Sequence, residues 1–371
     1  MYILDMRGNT FGLLVYDTEN IGDEIQSIAA RRFLPKIDYY VNRDHLNDFK
    51  PKEKSVKVIM NSWYMAPPYN WPPKSKKIDP LLISMYVERF NEHNLTDQAF
   101  LSDESKKYIA KHGPFGARDT GTMEFMNKHG IESYFSGCMT LTLLPDKKVK
   151  RKNYVLVVDV PKRVLNKIKK STKRPIITLN TERYTGLTYD EKMKIAEYWL
   201  TVYQSAHCVV TTRLHCMLPC LALGTPVYAI RKTDMRRFGG LIDLTNNYSE
   251  REFIKKKINF DRPSRNPRKY EKIRDELVKK CKEFTGFDSK KSYLYGAKYT
   301  DFIDNYDYIS GVNKIAEASY KGERRVKILE DELADVRREN KELSDLAFRP
   351  GIMRSIKNLI KAILRKITRK G

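Results

Sequence analysis

Nothing in this chain marks it for export or for spanning a membrane. Met1 to Tyr16 has no basic region followed by a long apolar run, so no signal peptide is expected. No window reaches the ~18 apolar residues a membrane-spanning helix requires. Cysteine is sparse. The five residues Cys138, Cys208, Cys216, Cys220 and Cys281 are odd in number, unframed and mostly set in apolar sequence, which excludes a disulfide scaffold and suits a reducing cytoplasm. Cys216 and Cys220 could join His215 around a metal, but the spacing matches no zinc pattern and buried cysteines usually pack, so no metal and no cofactor are expected. Acid is short as well: 46 Asp and Glu face 70 Lys and Arg, a net charge of +24. Such an excess calls for an anionic partner. Recognition-helix, zinc and RNA-binding patterns are all missing, so that partner is not expected to be nucleic acid.

What the chain does have is a folded composition, 41% hydrophobic with 23 Tyr and 15 Phe in 371 residues, enough for two domains and an appendage. Its most informative stretch runs from Gln204 to Ile230. The pattern predicts a buried strand at Cys208 to Thr211, a sharp turn at Thr212-Arg213-Leu214-His215, an apolar helix ending at Gly224, and a strand at Val227 to Ile230. In parallel α/β sheets ligands bind where a strand's carboxyl end meets the next helix. Arg213 and His215 stand there, a guanidinium and an imidazole beside a helix start, suited to an anion that also needs a proton donor.

The rest alternates strand and helix. Phe11 to Tyr16 leads through Asn20-Ile21-Gly22-Asp23-Glu24 into a helix; strands follow at Val56 to Met60 and Leu81 to Val87. Between them Trp63 opens an aromatic, Pro-rich loop with the character of a sugar-stacking surface, although a packed Trp-Pro cluster is the commoner reason for such a loop. Arg118 and Asp119 open another helix. After a basic linker a second α/β half begins at Tyr154, and Arg231, Arg236 and Arg237 follow its last strand. The pattern predicts two Rossmann-like domains facing a cleft, residues 1–150 and 151–285.

Beyond them residues 286–348 are expected to be a helical extension. Val326, Leu329, Leu333, Val336, Asn340 and Leu343 repeat at alternating spacings of three and four, which fits a short coiled coil over Glu323 to Leu346 and an oligomer, or a helix packed on its own domain. From Arg349 onward there are eight Lys or Arg and no acid, and residues 352–370 carry a continuous apolar face. Residues 349–371 therefore read as a helix lying on an anionic membrane, with a partner-protein groove as the rival.

In order along Phe11 to Leu241, the loop Asn20-Ile21-Gly22-Asp23-Glu24, the turn Gly116-Ala117-Arg118-Asp119 with Phe135-Ser136-Gly137-Cys138 after it, and Thr212-Arg213-Leu214-His215 with Leu223-Gly224-Thr225-Pro226 resemble the polysaccharide pyruvyl transferase family. The resemblance implies a glycosyltransferase-B-like fold and transfer of pyruvate from phosphoenolpyruvate (PEP) to a sugar as a cyclic ketal. It carries PEP-binding roles to Arg118, Arg213, Leu214 and His215. His215 could protonate the PEP methylene, and Asp23 or Asp119 could take a hydroxyl proton. Asn20 and Trp63 are the candidate acceptor contacts. The acceptor is then a precursor of capsule or exopolysaccharide, commonly lipid-linked, and the enzyme is cytoplasmic and peripheral on the inner face of the cell membrane. Three other readings stand beside it: a nucleotide-sugar-dependent glycosyltransferase of the same fold, a nucleic-acid-binding protein, and an inactive assembly partner.

Overall fold

The computed structural model describes residues 9–64, 70–89, 95–179, 188–232 and 235–293. The first half runs β1 (Phe11–Val15), α1 (Ile21–Arg31), β2 (Tyr39–Asn42), β3 (Val56–Ile59), β4 (Trp63–Tyr64), β5 (Ile78–Leu81) and β6 (Tyr86–Val87). It continues through α2 (Thr96–Leu101), α3 (Asp103–His112), β7 (Phe115–Ala117), α4 (Thr120–Lys128) and β8 (Ser133–Phe135) to a 3-10 turn, Met139–Thr142. The second half runs β9 (Val155–Val158), α5 (Lys162–Ser171), β10 (Ile176–Leu179), α6 (Tyr189–Ser205), β11 (Cys208–Thr211) and α7 (Leu214–Ala222). It ends with β12 (Val227–Arg231), β13 (Asn246–Ser249), α8 (Glu250–Lys255) and α9 (Glu271–Thr285).

Every strand pairing among these residues is parallel. One sheet has the order β2-β1-β3-β5 and the other β10-β9-β11-β12-β13, with short pairs β4-β6 and β7-β8 alongside. The central strands show why. Phe-Gly-Leu-Leu-Val of β1 and Val-Leu-Val-Val of β9 are buried at every position, as a parallel strand with both faces covered demands. Between the sheets α1 packs on α6 and α7, and a single apolar cluster takes in Ile28 and Phe33 of the first half with Trp199, Met217 and Leu277 of the second. The described residues all fall within one compact unit.

Three expectations change. The single strand from Leu81 to Val87 is broken at Ser84, whose φ is 55°. Its hydroxyl accepts from the Met139 N–H at 2.8 Å and its own N–H donates to Ser136 Oγ at 2.9 Å, so the chain bends to satisfy buried polar groups and resumes pairing one sheet away. The edge strands β2 and β13 were not expected, because half-exposed Tyr39–Asn42 and Asn246–Ser249 lack an apolar run. Residues 287–293, assigned above to a helical extension, form no helix; Asp288 pairs with Arg32 at 2.7 Å and the Ser289 N–H donates to Arg32 O at 2.9 Å, strapping this segment to the first half. The coiled coil at 323–346 and the basic amphipathic segment at 352–370 lie outside the described residues. Among the described residues no helix is long and apolar enough to cross a membrane, and no group of three or more His, Cys, Asp and Glu could hold a metal ion.

Candidate active site

Three strand-to-helix turns supply the residues singled out by the sequence: β1 to α1, β7 to α4 and β11 to α7. A cavity of about 220 Å³ opens at two of them, lined by Asn20 and Gly22 from the first and by Arg213, Leu214 and His215 from the third. Lys232, Arg237 and Phe238, beyond the end of β12, complete the wall.

The start of α7 is shaped by its own sequence. Pro219 lies inside the helix and has no N–H to give the carbonyl four residues back, which is that of His215. His215 accordingly leaves helical geometry, at φ −83° and ψ 21°. Its ring meets α1: a Cβ built on Gly22 would stand 2.8 Å from His215 Nδ1, so only glycine lets the two turns approach this closely. Arg213 is the N-cap residue but makes no side-chain cap, and the first turn of α7 contains no acid. The N–H groups of Leu214 and His215 belong to the first turn, where a helix offers no acceptor of its own.

His215 is 7% exposed, and Nε2 has no hydrogen-bond partner. Burial, then Arg118 and Arg237, hold its pKa well below the ordinary histidine range. With only the protein's charges around it, the ring is neutral; the imidazolium expected from sequence needs a compensating negative charge nearby. Arg118 lies behind the cavity wall, fully buried, with its guanidinium 4.6 Å from the centre of the Tyr86 ring and none of its three nitrogens hydrogen-bonded. Leaving a buried cation without an acceptor is costly.

Arg237 had no role in the sequence reading. Its guanidinium stacks 3.7 Å above the Trp63 ring and 5.7 Å from that of Tyr86, its Nε lacks a partner, and burial followed by Arg118 lowers its pKa to about 10. The turn that carries it docks on the start of α4, where the Thr120 N–H donates to Gly239 O at 3.2 Å, and a Cβ on Gly240, whose φ is +73°, would strike Thr120 at 2.8 Å. An arginine pair beyond a parallel strand end, followed by Gly-Gly, was the available signal.

The remaining candidates have partners. Arg213 lines the cavity, but its Nε is held by Asp159 Oδ2 at 2.8 Å. Asp119 is the N-cap of α4, its carboxylate accepting from the Thr122 N–H at 2.9 Å and hydroxyl at 2.8 Å. Asp23 accepts from Thr18 Oγ1 at 2.6 Å and Gln26 Nε2 at 3.2 Å, and Arg43 stands 3.8 Å away. Neither aspartate lines the cavity. Asn20 caps α1, its Oδ1 accepting from the Gly22 N–H at 3.0 Å. Glu24, unremarked in the sequence reading, is buried, and that burial followed by Asp23 raises its pKa to about 8. Cys216 and Cys220 pack in the apolar core.

Comparison with known proteins bears on this arrangement. The model of the polysaccharide pyruvyl transferase family matches residues 94–231, a span containing Arg118, Asp119, Arg213, Leu214 and His215. The likeness to that family is carried by this span. The pyruvyl transferase match marks the chain as an enzyme that transfers pyruvate. Among solved structures, a functionally uncharacterized protein of Klebsiella pneumoniae aligns at 10% identity over 64% of this chain and 88% of its own, with a TM-score of 0.38. A Methanocaldococcus jannaschii UDP-GlcNAc 2-epimerase in complex with UDP-GlcNAc and UDP aligns at 10% identity over 76% of this chain and 94% of its own, with a TM-score of 0.36. Likenesses this slight carry no argument about this chain. No curated protein matches it.

Proposed function

We propose that the chain transfers pyruvate from PEP to two hydroxyls of a saccharide in a surface-polysaccharide precursor, forming a cyclic ketal and releasing phosphate. The observation that carries this reading is the fully buried Arg118, whose guanidinium has no hydrogen-bond partner, set beside a neutral His215 and an uncapped helix start at one cavity. A dense set of donors without acceptors suits a small ligand rich in anionic oxygen. PEP brings a phosphate and a carboxylate. Arg118 and the N–H groups of Leu214 and His215 are the donor-binding groups in this reading, with Arg213 beside them at the rim, its Nε on Asp159.

The incoming charge reverses the environment of His215. Arg118 and Arg237 disfavour the imidazolium; a polyanion between them favours it, so His215 gains a proton as the donor binds. The imidazolium then protonates the PEP methylene carbon, and the centre next to it becomes oxocarbenium-like. One sugar hydroxyl attacks that carbon, its C–O bond to phosphate breaks, and a second hydroxyl closes the ketal. Of the two hydroxyl protons, one replaces the proton given by His215 and the other leaves with phosphate. Asp23 and Asp119, already bonded and absent from the cavity wall, are not in reach of a substrate hydroxyl and take no proton in this reading. Asn20 is the acceptor-side contact at the cavity, with Trp63 nearby.

The sequence organisation supports a wider setting: two Rossmann-like halves, a coiled coil that joins copies of the chain, and a basic amphipathic segment at 352–370 that brings the enzyme to a lipid-linked acceptor on the inner face of the membrane. Calorimetric titration of PEP tests the core of this reading. The wild type is expected to bind, and Arg118→Ala to bind at least roughly 100-fold more weakly, the loss of a charged hydrogen-bonding partner. A wild type that ignores PEP and binds a nucleotide sugar would overturn it. Deleting residues after Arg349 is expected to release the protein from anionic vesicles while sparing turnover of a soluble acceptor.

A further inference from the structure

Among the described residues, five side chains around one point have buried polar atoms with no hydrogen-bond partner: Trp63 Nε1, Tyr86 OH, all three nitrogens of Arg118, His215 Nε2 and Arg237 Nε. All can donate. Buried polar groups in folded proteins are almost always satisfied, so such a gathering needs a reason. Two of the five are guanidiniums: burial first, then Arg118, lowers the pKa of Arg237, and Tyr86, Asp23 and Glu88 offset this only in part, so the pair is costly unless further negative charge lies between them. Tyr86 stands beside both, 4.6 Å from Arg118 and 5.7 Å from Arg237.

Resting on the pyruvyl-transfer reading, we propose that Arg237, held flat on Trp63, is the second arginine that grips the donor, so that Arg118 and Arg237 share its two anionic groups while Arg213 stays bound to Asp159. Arg213 carries the sequence signature, but its Nε already has a carboxylate at 2.8 Å. Arg237 lines the cavity directly. Its orientation is fixed on both sides, by the indole face at 3.7 Å and by the Gly239-Gly240 turn seated on Thr120. A guanidinium stacked on an aromatic face keeps its in-plane N–H groups free for a ligand. In this role Trp63 is a platform for the arginine, a positioning residue for the donor, and not a surface on which the acceptor sugar stacks.

The test combines PEP titration with steady-state kinetics on full-length protein. Arg237→Gln is expected to weaken PEP binding roughly 10- to 100-fold, with Arg237→Lys recovering only part, since a point charge replaces a stacked fork. The thermal midpoint of Arg237→Gln without ligand should stay level or rise, because repulsion with Arg118 is removed; a structural arginine would lower it. Added PEP, followed by NMR, should raise the titration of His215 less in Arg237→Gln than in the wild type, which a merely structural role does not predict. Trp63→Leu should raise the KM for PEP, with Trp63→Phe restoring most of it; a rise confined to the saccharide KM would return the ring to the acceptor and overturn the platform. If the wild type binds PEP and Arg237→Gln binds it equally well, this inference fails and the pyruvyl-transfer reading stands. If the wild type does not bind PEP, both fail.

Discussion

Two helices begin at the cavity, and only one is closed by its own residues. At α1 the Asn20 side chain accepts from the Gly22 N–H and Asp23 occupies the first turn, so the positive helix end is already answered. At α7 the cap residue is Arg213, no side chain caps the turn, and no acid follows. The helices share a fold position, after a parallel strand, and differ in charge. In the proposed reading a strand-to-helix turn becomes an anion site through what it omits. At α1 glycine does another job: Gly22 is absent of side chain so that His215 can sit against it.

Making α7 resemble α1 tests this contrast most severely. Arg213→Asp supplies a preferred cap and a negative charge at the helix start, and it also breaks the pair with Asp159; PEP affinity is expected to drop about 100-fold, read by calorimetry, while the helix is not weakened. An affinity within a few-fold of wild type would show that the open start of α7 takes no part. Making α1 intrude on α7 comes next. Gly22→Ala places a methyl where His215 Nδ1 lies 2.8 Å away. A ring displaced by less than an ångström should lower kcat roughly tenfold with little change in the KM for PEP.

The smallest effect concerns the acids of α1. Glu24 has its pKa raised from 4.5 to about 8, so the folded chain keeps a proton there that the unfolded chain releases. Its contribution to stability is therefore complete below the unfolded value and lost as pH rises towards the folded one. Urea titrations should show Glu24→Gln gaining on wild type by roughly 1 kcal/mol or more at pH 8, with the gain shrinking towards pH 5. A difference independent of pH would mean that the carboxyl is charged in the folded protein.

Much of this site was legible because it is local. Valine-rich strands, a turn at Thr212-Arg213-Leu214-His215 and an apolar helix lie within one short stretch, and periodicity locates them. Arg213 illustrates the limit. Its position at the cavity followed from the strand end, but its partner Asp159 comes from β9, a neighbour fixed only by strand order. Arg237 and Trp63 are farther from each other still in sequence, and their stacking depends on Gly239-Gly240 docking against Thr120. No spacing rule reaches across such distances. Ser84 failed for a related reason: its hydroxyl is bonded by the Met139 N–H, so a sequence that alternates like one strand bends in the middle. Asp119, by contrast, followed the commonest habit of an aspartate before a helix and caps it.

The crowding of Arg118 and Arg237 reaches beyond the reaction. A ligand that binds only the folded chain draws the folding equilibrium towards itself, by about 2.7 kcal/mol when its concentration is 100 times its Kd. The proposed ligand would also relieve a repulsion that Asp23 and Glu88 offset only in part. If the proposed donor binds there, a scarce supply would leave more of the chain open to unfolding and degradation, and a plentiful one would let more survive. The cell's supply of this small anion would then set how much enzyme it keeps.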